Sequence, residues 1–536
     1  MLTVFIPTAG LGSRLKSKTK NQNKSLITLN NKAIISHIIE KFNPKKTEFI
    51  IALGHKADYV KQYLIVAHPS LKLKFIEIDK FRGKGSGLGY TLYKSKYLLQ
   101  KAFLFHPCDA IISDNFPLLR KKENVVFYKT INDNGQYRSL SLRKKSLLKI
   151  NEKVLSKKSN LKAYTGVAYI NDYKEFWKYA DLKNIKFVKS GESFLINKTL
   201  KHKNFSCKKL NWHDTGNLES FNSTTKNFYQ KKKIRFKILE KDNECIFFTN
   251  KKVIKFHESK TFVSQRVTRS KILKNFVPQV ENYTKNYYSY NYINGSVFSS
   301  KLSHSNFNLL IKFLKKFWSI KNKKKLHKNI FKKNCIKFYK TKTLQRLNQF
   351  DQKYNLEKID KFSYINNFKV NKIHKILNNL DWDMISNGIQ SNFHGDLHFE
   401  NIIIDKKKKF KLLDWRQNFN GDLNTGDLYY DLAKIKHGLI INHSDVINNI
   451  YSFKQKNNKK ISLSFRHKNI YKISINLFNM WLKKEGYDIK KVNIITALIF
   501  INIAPLHHHP YSIFLFFLGK LLLENPYYFD VNKKLL

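Results

Sequence analysis

The stretch Asn392-Phe-His-Gly-Asp396-Leu-His-Phe-Glu-Asn401-Ile-Ile-Ile-Asp405, followed by Phe410-Lys-Leu-Leu-Asp414, decides the fold of the C-terminal half. Two apolar runs, 402–404 and 410–413, flank a polar turn at 405–409, a pattern that predicts a β-hairpin. This hairpin would bring Asn401 and Asp414 together at its open end. Asp396 precedes Asn401 by five residues, which leaves room for a tight loop.

These three residues suit a phosphoryl-transfer site, in which catalysis is mainly positioning and charge neutralisation. Asp396 would accept the proton of an attacking hydroxyl, and Asn401 and Asp414 would hold Mg²⁺ on the phosphates of ATP. The alternative interpretation is a pair of acidic turns beside a surface hairpin. We favour the phosphoryl-transfer site, because base, amide and second carboxylate seldom occur in this order by chance.

The last 300 or so residues resemble the aminoglycoside phosphotransferase and choline kinase superfamily, which implies an α+β, protein-kinase-like domain at 229–536. Its N-lobe would span about 234–295 and its C-lobe about 296–536. Asp431, in Gly426-Asp-Leu-Tyr-Tyr-Asp431, would orient the catalytic loop. Lys255, in Val253-Ile-Lys255, would bind the ATP phosphates. The segment 262–276 lacks an acidic partner for this lysine, and Gln265 or Glu258 is the expected replacement.

The N-terminus, Met1-Leu-Thr-Val-Phe-Ile-Pro-Thr-Ala-Gly10-Leu-Gly12-Ser13-Arg14, predicts an apolar strand that ends in a glycine turn. Glycines let backbone N–H groups approach phosphate oxygens, which basic residues neutralise. The stretch lacks the Gly-Lys-Ser/Thr ending of a Walker P-loop and the third glycine of a dinucleotide fingerprint. An ordinary strand-to-helix turn is the alternative.

Residues 1–228 resemble the sugar-phosphate nucleotidyltransferases, whose signature is Gly-x-Gly-Ser/Thr-Arg followed by a lysine. The resemblance implies a Rossmann-like α/β domain with a mixed sheet. Here Asn23 replaces the proline that usually precedes the lysine. The implied site has three groups of residues: Arg14 and Lys24 on the triphosphate; Asp109 and Asp214 on Mg²⁺; and a nucleotide-binding set of Gly10, Gly12, Ser13, Gly83 and Gly85. Tyr164, Gly166, Gly191 and Glu192 are expected near the acceptor pocket.

Composition sets bounds on partners and location. The net charge of +63 would suggest nucleic acid, but the lysines are spread along the chain beside abundant Asn, Ile, Phe and Tyr, which indicates a genome poor in G and C. We find no nucleic-acid-reading element. The four scattered cysteines and the immediate first strand predict a cytoplasmic protein without a signal peptide. The apolar region 494–523 is interrupted by Pro505 and Pro510, which predicts two buried helices and no transmembrane segment.

The two resemblances together predict a bifunctional enzyme that requires Mg²⁺. ATP would phosphorylate a small hydroxyl compound, and a second nucleotide, CTP or UTP, would then activate the phosphate as a precursor for a surface polysaccharide. A sugar is favoured as the hydroxyl compound. Choline or a similar amino alcohol is the alternative, and in another class of function one domain is inactive and serves as a scaffold or sensor.

Overall fold

The computed structural model describes residues 1–117, 119, 122–133, 135–153, 158–231, 243–249, 251–319, 325–465 and 468–531. The chain forms two compact units. The first comprises Met1–Val263 and Glu281–Tyr292, and the second comprises Ser264–Val280 and Ile293–Leu536. The predicted domain boundary at 228/229 stays a prediction. The start of the predicted N-lobe at 234 lies outside the described residues.

The first unit is built on a nine-stranded mixed sheet. In spatial order its strands are Lys72–Glu77, Thr47–Leu53, Leu2–Pro7, Phe103–Phe105, Lys158–Ile170, Asn124–Asp133, Phe205–Lys209, Ser146–Asn151 and Ser139–Arg143. The first four strands are parallel to one another, and the long fifth strand is antiparallel to both of its neighbours. The predicted mixed α/β sheet is present.

Helices cover both faces of this sheet, because its central strands are apolar on both sides. Val4 and Ile6 pack into one core with Leu64, whereas Phe5 faces the opposite core with Leu92. The helices of the unit are Ile34–Ile39, Ala57–Ala67, Leu88–Ser95, Tyr173–Trp177, Ile185–Ser190, Glu192–Thr199 and Leu218–Lys231.

The last of these helices replaces a predicted linker. The polar and basic composition of 222–233 predicts a linker between the two domains, but the residues through Lys231 continue the helix that begins at Leu218. Phe221 is buried, and the ring of Phe228 lies 5.2 Å from that of His213. The apolar residues at helical spacing therefore outweigh the polar composition.

A second, four-stranded antiparallel sheet belongs to the first unit, with strands in the order Glu244–Phe248, Lys252–His257, Tyr287–Asn291 and Asn282–Tyr283. It packs on the helix Ala57–Ala67. The ring centroids of Tyr63 and Phe247 are 4.9 Å apart, and Gln62 Oε1 accepts a hydrogen bond of 2.9 Å from the backbone N–H of Asn286. The sequence predicts strands over 237–256 around an Asn-Lys turn and a hinge strand over 288–295. The strands Glu244–Phe248, Lys252–His257 and Tyr287–Asn291 are present, and 237–242 lies outside the described residues.

The second unit is mainly helical. The helix Lys260–Leu273 enters it from the first unit, and the other helices are His304–Ser319, Lys328–Ile336, Lys342–Tyr354, Leu356–Ile359, Ile373–Asn378, Trp382–Ser386, Leu428–Ile440, His443–Ile447, Asn469–Lys484, Ile489–Ile503, Tyr511–Glu524 and Tyr528–Val531. A π turn, Lys337–Thr341, leads into the helix that begins at Lys342.

Three small sheets complete the second unit. One contains Ser296–Val297, Ile402–Ile404 and Phe410–Leu412; the next contains Phe368–Lys369, Tyr364–Ile365, Lys460–Phe465 and Tyr451–Gln455; and the last pairs Gln390–Ser391 with Gly426–Asp427. The predicted hairpin is confirmed, with Ile402 opposite Leu412.

In the described part of the chain, one helical stretch, Ile489–Leu506, is long and apolar enough to cross a membrane, and 78% of it is buried inside the protein. It ends before the turn that contains Pro510, and Tyr511–Glu524 follows as another buried helix. Burial on this scale is typical of a core helix, and the two helices are those predicted for 494–523.

Candidate active sites

The glycine loop after the first strand is tightly wound. Gly12 has φ +69°, a left-handed conformation that favours glycine, and its carbonyl accepts a hydrogen bond of 2.9 Å from the N–H of Leu15. Ser13 and Arg14 begin a short 3-10 turn and are exposed. No protein atom lies within 4 Å of the position that a Cβ of Gly10 would take. The loop is therefore open at Gly10.

Asn23 fixes the segment that carries Lys24. Its side chain is fully buried, and its amide donates to the carbonyls of Thr8 at 2.9 Å and His55 at 2.6 Å. Its Oδ1 accepts hydrogen bonds from the backbone N–H and the hydroxyl of Ser25. Asn23 stands where the resemblance expects a proline, and its capping role explains how the lysine is held without that proline.

Lys24 and Asp109 form an ion pair, with Lys24 Nζ 3.0 Å from Asp109 Oδ2. Burial by itself would lower the pKa of Lys24, but the neighbouring Asp109 carboxylate dominates and raises it. Burial would likewise raise the pKa of Asp109, yet Lys24, and then Arg14, hold that pKa below its ordinary value. Both groups are therefore charged at neutral pH.

Asp214 lies beside Asp109 because their strands pair. Trp212–Asp214 is antiparallel to Ala110–Ile112, with Asp214 opposite Ala110. A Cβ at Gly216 would lie 3.1 Å from Asp214 Oδ1 and 3.2 Å from Asp109 Oδ2, so the two carboxylates flank this glycine. Burial, and then the charge of Asp109, raise the pKa of Asp214.

The two carboxylates fit the Mg²⁺ that the resemblance implies. Two buried acids side by side repel each other, and a divalent cation relieves that repulsion. Magnesium typically takes one or two carboxylates and completes its shell with substrate phosphates and water. Among the described residues no cluster of three or more His, Cys, Asp or Glu side chains is arranged for a metal. A two-carboxylate site is consistent with that finding.

The glycine-rich stretch 83–89 contains two kinds of glycine. Gly83 and Gly85 have φ of +78° and +82° and shape the exposed turn. Gly87 and Gly89 are packing residues instead, since a Cβ there would lie 2.3 Å from the carbonyl oxygen of Val188 and 2.1 Å from that of Phe187. They allow the helix Leu88–Ser95 to approach the helix Ile185–Ser190.

A buried acid lies near the predicted acceptor pocket. Burial raises the pKa of Glu192 to about 7, although the charge of Arg138 opposes the shift. The hydroxyl of Tyr164 lies beside this carboxylate; burial, and then the charge of Glu192, raise the pKa of Tyr164 well above its ordinary value. The two buried polar groups thus face each other on the strand and helix expected near the acceptor.

In the second unit the hairpin brings the predicted metal ligands to one end. The N–H of Leu413 donates to the carbonyl of Asn401 at 2.7 Å and extends the pairing beyond Leu412. Asp414 follows with φ +57°, so the chain turns sharply at this carboxylate. The structure thus places Asn401 and Asp414 at the open end of the hairpin, as predicted from the sequence.

Asp396 makes three side-chain contacts. Asn401 Nδ2 donates to Asp396 Oδ2 at 3.1 Å, His398 Nε2 lies 3.5 Å from the same oxygen, and Lys434 Nζ lies 2.9 Å from Oδ1. Burial would raise the pKa of Asp396, but Lys434 and His398 hold it well below its ordinary value. Burial lowers and the Asp396 carboxylate raises the pKa of His398, with a net increase to about 9. No motif in the sequence distinguishes Lys434 from the many other lysines.

Asp431 anchors the loop that carries Asp396. Its oxygens accept hydrogen bonds from the backbone N–H groups of His394 at 2.8 Å and Gly395 at 2.7 Å. Burial raises the pKa of Asp431 to about 6. Arg269 is also fully buried and donates to the carbonyls of Phe393 and Arg416. These contacts match the orienting role expected of Asp431.

Lys255 lies on the middle strand Lys252–His257, opposite Tyr288. Of the two candidate replacements for its missing acidic partner, Gln265 bonds elsewhere through its side chain, and Glu258 contributes a main-chain contact. Gln265 Oε1 accepts a hydrogen bond of 2.7 Å from Asn418, and the carbonyl of Glu258 accepts one of 2.8 Å from Asn286. The predicted role of Lys255 stays a prediction.

The comparisons with known proteins bear on the N-terminal portion. No family model matches the chain. The bifunctional protein GlmU of Methanocaldococcus jannaschii is 27% identical over 161 residues, which are 30% of this chain and 38% of that protein. The GlmU protein of Methanococcus maripaludis is 26% identical over 125 residues, 23% of this chain and 29% of that protein. The matched segment thus spans about a third of the relatives' length.

Solved structures also match over this portion. CTP:phosphocholine cytidylyltransferase from Streptococcus pneumoniae is 18% identical and covers 42% of this chain and 99% of its own, with a TM-score of 0.37. A UDP-glucose pyrophosphorylase is 16% identical and covers 43% and 99%, also with a TM-score of 0.37. These likenesses concern the N-terminal portion, whose fold is the mixed α/β sheet described above.

Proposed function

We propose that the first unit transfers a nucleotidyl group from a nucleoside triphosphate to a phosphomonoester, with a sugar phosphate as the favoured acceptor. This proposal rests on the proximity of Lys24, Asp109 and Asp214 at the carboxyl end of the sheet. Ligands of open α/β sheets bind at this edge. Similarity to GlmU over the same portion supports the proposal.

In this proposed site the acidic residues hold the metal ion and the basic residues bind the phosphates. Asp109 and Asp214 would hold Mg²⁺, which supplies charge neutralisation on the triphosphate and the attacking phosphate. Arg14 is exposed at the open loop and would bind the triphosphate. Lys24, paired with Asp109 in this structure, would turn its ammonium group to the phosphate oxygens once Asp109 holds the cation. The free backbone at Gly10 lets a phosphate approach closely.

For the second unit we propose ATP-dependent phosphorylation of a hydroxyl compound, whose product would serve the first unit. The supporting observation is the loop held by Asp431, which presents Asp396 next to Asn401. The oxygen of the acceptor hydroxyl bonds to the γ-phosphorus, the bond to the bridging β,γ-oxygen breaks, ADP leaves, and Asp396 accepts the hydroxyl proton. Lys434 and His398 keep Asp396 ionised for that task.

A ³¹P NMR assay tests both proposals. Purified full-length protein is incubated with Mg²⁺, ATP and CTP or UTP against free sugars and amino alcohols. We expect a phosphomonoester signal that converts to a diphosphate-linked product. Asp109→Asn should stop the conversion and spare the phosphomonoester, and Asp396→Asn should stop its formation while an added phosphomonoester is still converted. Loss of both activities in either single variant would refute the assignment of two independent sites.

A further inference from the structure

A group of positive side chains lies near the Asp396–Lys434 pair, and the phosphoryl-transfer proposal does not account for it. We call it the cation cluster and define it as Lys342, Arg346 and Arg416. Lys342 and Arg346 lie one turn apart on the helix Lys342–Tyr354, so they share a face. Arg416 follows Asp414 by two residues and comes from the other side of the loop.

The ring of Phe338 contacts two members of the cation cluster. Lys342 Nζ lies 4.6 Å and Arg416 Cζ lies 4.8 Å from the centre of the Phe338 ring, and Lys342 Nζ also lies 5.7 Å from the centre of Tyr430. Cation–π contacts hold positive groups in place without neutralising them. The ring therefore positions Lys342 and Arg416 without supplying the negative charge of a carboxylate.

The cluster contains no compensating acid. In the described ranges no carboxylate forms an ion pair with Lys342, Arg346 or Arg416, and the nearby Asp396 is paired with Lys434. Burial, and then the charges of Arg416, Lys434 and Arg346, lower the pKa of Lys342 well below its ordinary value. Arg346 also has a lowered pKa, from burial and from Arg416. Lys342 thus holds its proton less firmly while no anion is bound, and an anion beside it would raise its pKa again.

All three side chains are half-buried, so a small solute can reach them. Lysine-rich composition does not explain the arrangement, because arginine is scarce beside lysine in this sequence and two arginines are placed here. An uncompensated, half-buried positive cluster repels a cationic acceptor and attracts an anionic one.

We propose that the hydroxyl compound phosphorylated at Asp396 bears a negative group, a carboxylate or a phosphate, which the cation cluster binds. This inference rests on the proposed kinase function of the second unit and narrows its acceptor to an acidic sugar or a similar hydroxy acid. Guanidinium and ammonium groups are the usual ligands of both anions. A quaternary amine such as choline does not fit the same place.

Binding is tested first, on the full chain saturated with Mg²⁺ and ADP so that the probe does not enter the nucleotide site. Isothermal titration compares glucose, glucuronate, glucose 6-phosphate and choline. We expect glucuronate or glucose 6-phosphate to bind at least 10-fold more tightly than glucose or choline. Because the first unit is itself proposed to bind a sugar phosphate, only binding that Lys342→Gln weakens identifies the anion. Equal or tighter binding of glucose or choline would overturn the inference.

Removal of the Lys342 charge then tests whether the cation cluster is the anion-binding site. Lys342→Gln should weaken anion binding about 10-fold and leave the KM for ATP within about twofold, and Lys342→Arg should restore binding. Lys340→Gln is the matched control, because Lys340 precedes Lys342 by two residues and lies over Trp382 instead. A rise in the KM for ATP without a change in anion binding would assign the cluster to the ATP phosphates and refute the proposal.

The two proposals fail in different ways. Anion binding that depends on Lys342 but occurs without phosphoryl transfer from ATP would refute the kinase function and leave the anion site. Phosphoryl transfer to a neutral or cationic acceptor, unchanged in Lys342→Gln, would refute the anion site and leave the kinase function. Thermal unfolding of each variant separates a folding defect from a binding defect.

Discussion

The ammonium group of Lys434 lies 2.9 Å from Oδ1 of Asp396, although the lysine belongs to the helix Leu428–Ile440 and the aspartate to a loop before the hairpin. The same helix contains Asp431, which holds that loop by two backbone hydrogen bonds. One helix therefore sets both the position and the ionisation of the proposed base.

Replacement of this lysine should alter the pH dependence of phosphoryl transfer. Lys434 lowers the pKa of Asp396 and burial raises it, so the pKa should rise when the lysine is removed. Asp396 does not accept the hydroxyl proton when it is itself protonated. In Lys434→Met we expect the acid limb of kcat/KM to move toward neutral pH by about 1–3 units. Profiles between pH 4.5 and 9 measure the shift. Lys434→Arg keeps the charge and should retain the wild-type limb; an unmoved limb in Lys434→Met would contradict the assigned pairing.

Alanine at two glycines should separate a ligand contact from a packing contact. Gly10→Ala should leave thermal stability nearly unchanged, since no protein atom lies within 4 Å of the new Cβ, and should raise the KM for the nucleoside triphosphate about 10-fold or more. Gly87→Ala should instead cost about 1–3 kcal/mol of stability, because its Cβ would lie 2.3 Å from the carbonyl oxygen of Val188. Unaltered nucleotide kinetics in Gly10→Ala would remove Gly10 from the binding site.

Removal of the Glu192 charge should stabilise the protein only at higher pH. The folded-state pKa of about 7 exceeds the ordinary value of 4.5, so the folded protein binds more protons than the unfolded chain between these values, and stability falls as pH rises through them. Glu192→Gln has no such titration. The difference in the free energy of unfolding between Glu192→Gln and the wild type should grow by up to about 3 kcal/mol between pH 5 and pH 8. Thermal unfolding at both pH values, with the exposed Glu77→Gln as control, checks this; a gain independent of pH would rule out titration of Glu192.

Loss of the Asn23 side chain should impair the first unit alone. Asn23→Ala leaves the carbonyls of Thr8 and His55 without their partner, and we expect a loss of about 2–4 kcal/mol. Nucleotidyl transfer should fall at least 10-fold because Lys24 is no longer held in place. Phosphoryl transfer should continue at the wild-type rate. Asn43→Ala, which removes one exposed hydrogen bond to Lys45, is the control, and equal losses in both variants would deny Asn23 a special role.

The local part of the architecture could be read from the sequence. The hairpin at 402–412 follows from two apolar runs around a polar turn, and the pairing of Asp109 with Asp214 follows from a family resemblance that places both at one edge of a sheet. In both cases neighbouring residues, or a known motif, carry the information. The orienting contacts of Asp431 were likewise expected.

Contacts between distant segments could not be read in the same way. Lys434 is one of many lysines in a lysine-rich chain, and only the packing of its helix reveals its partner. The polar composition of 222–231 concealed the buried side of a helix. Asn23 showed as a departure from a motif, yet its four hydrogen bonds depend on carbonyls that the fold brings to it.

The sheet that contains Phe247 and Tyr287 packs on Tyr63, and these aromatic rings are almost wholly withdrawn from water. The residues that follow this sheet's second strand leave for the second unit at Ser264 and return at Glu281 before leaving again at Ile293. No single proteolytic cut, and no single choice of cloning boundary, therefore releases either compact unit whole. An N-terminal fragment ending at 228 would expose the Tyr63 surface and should be poorly soluble, so both proposed activities should be assayed on the uninterrupted chain.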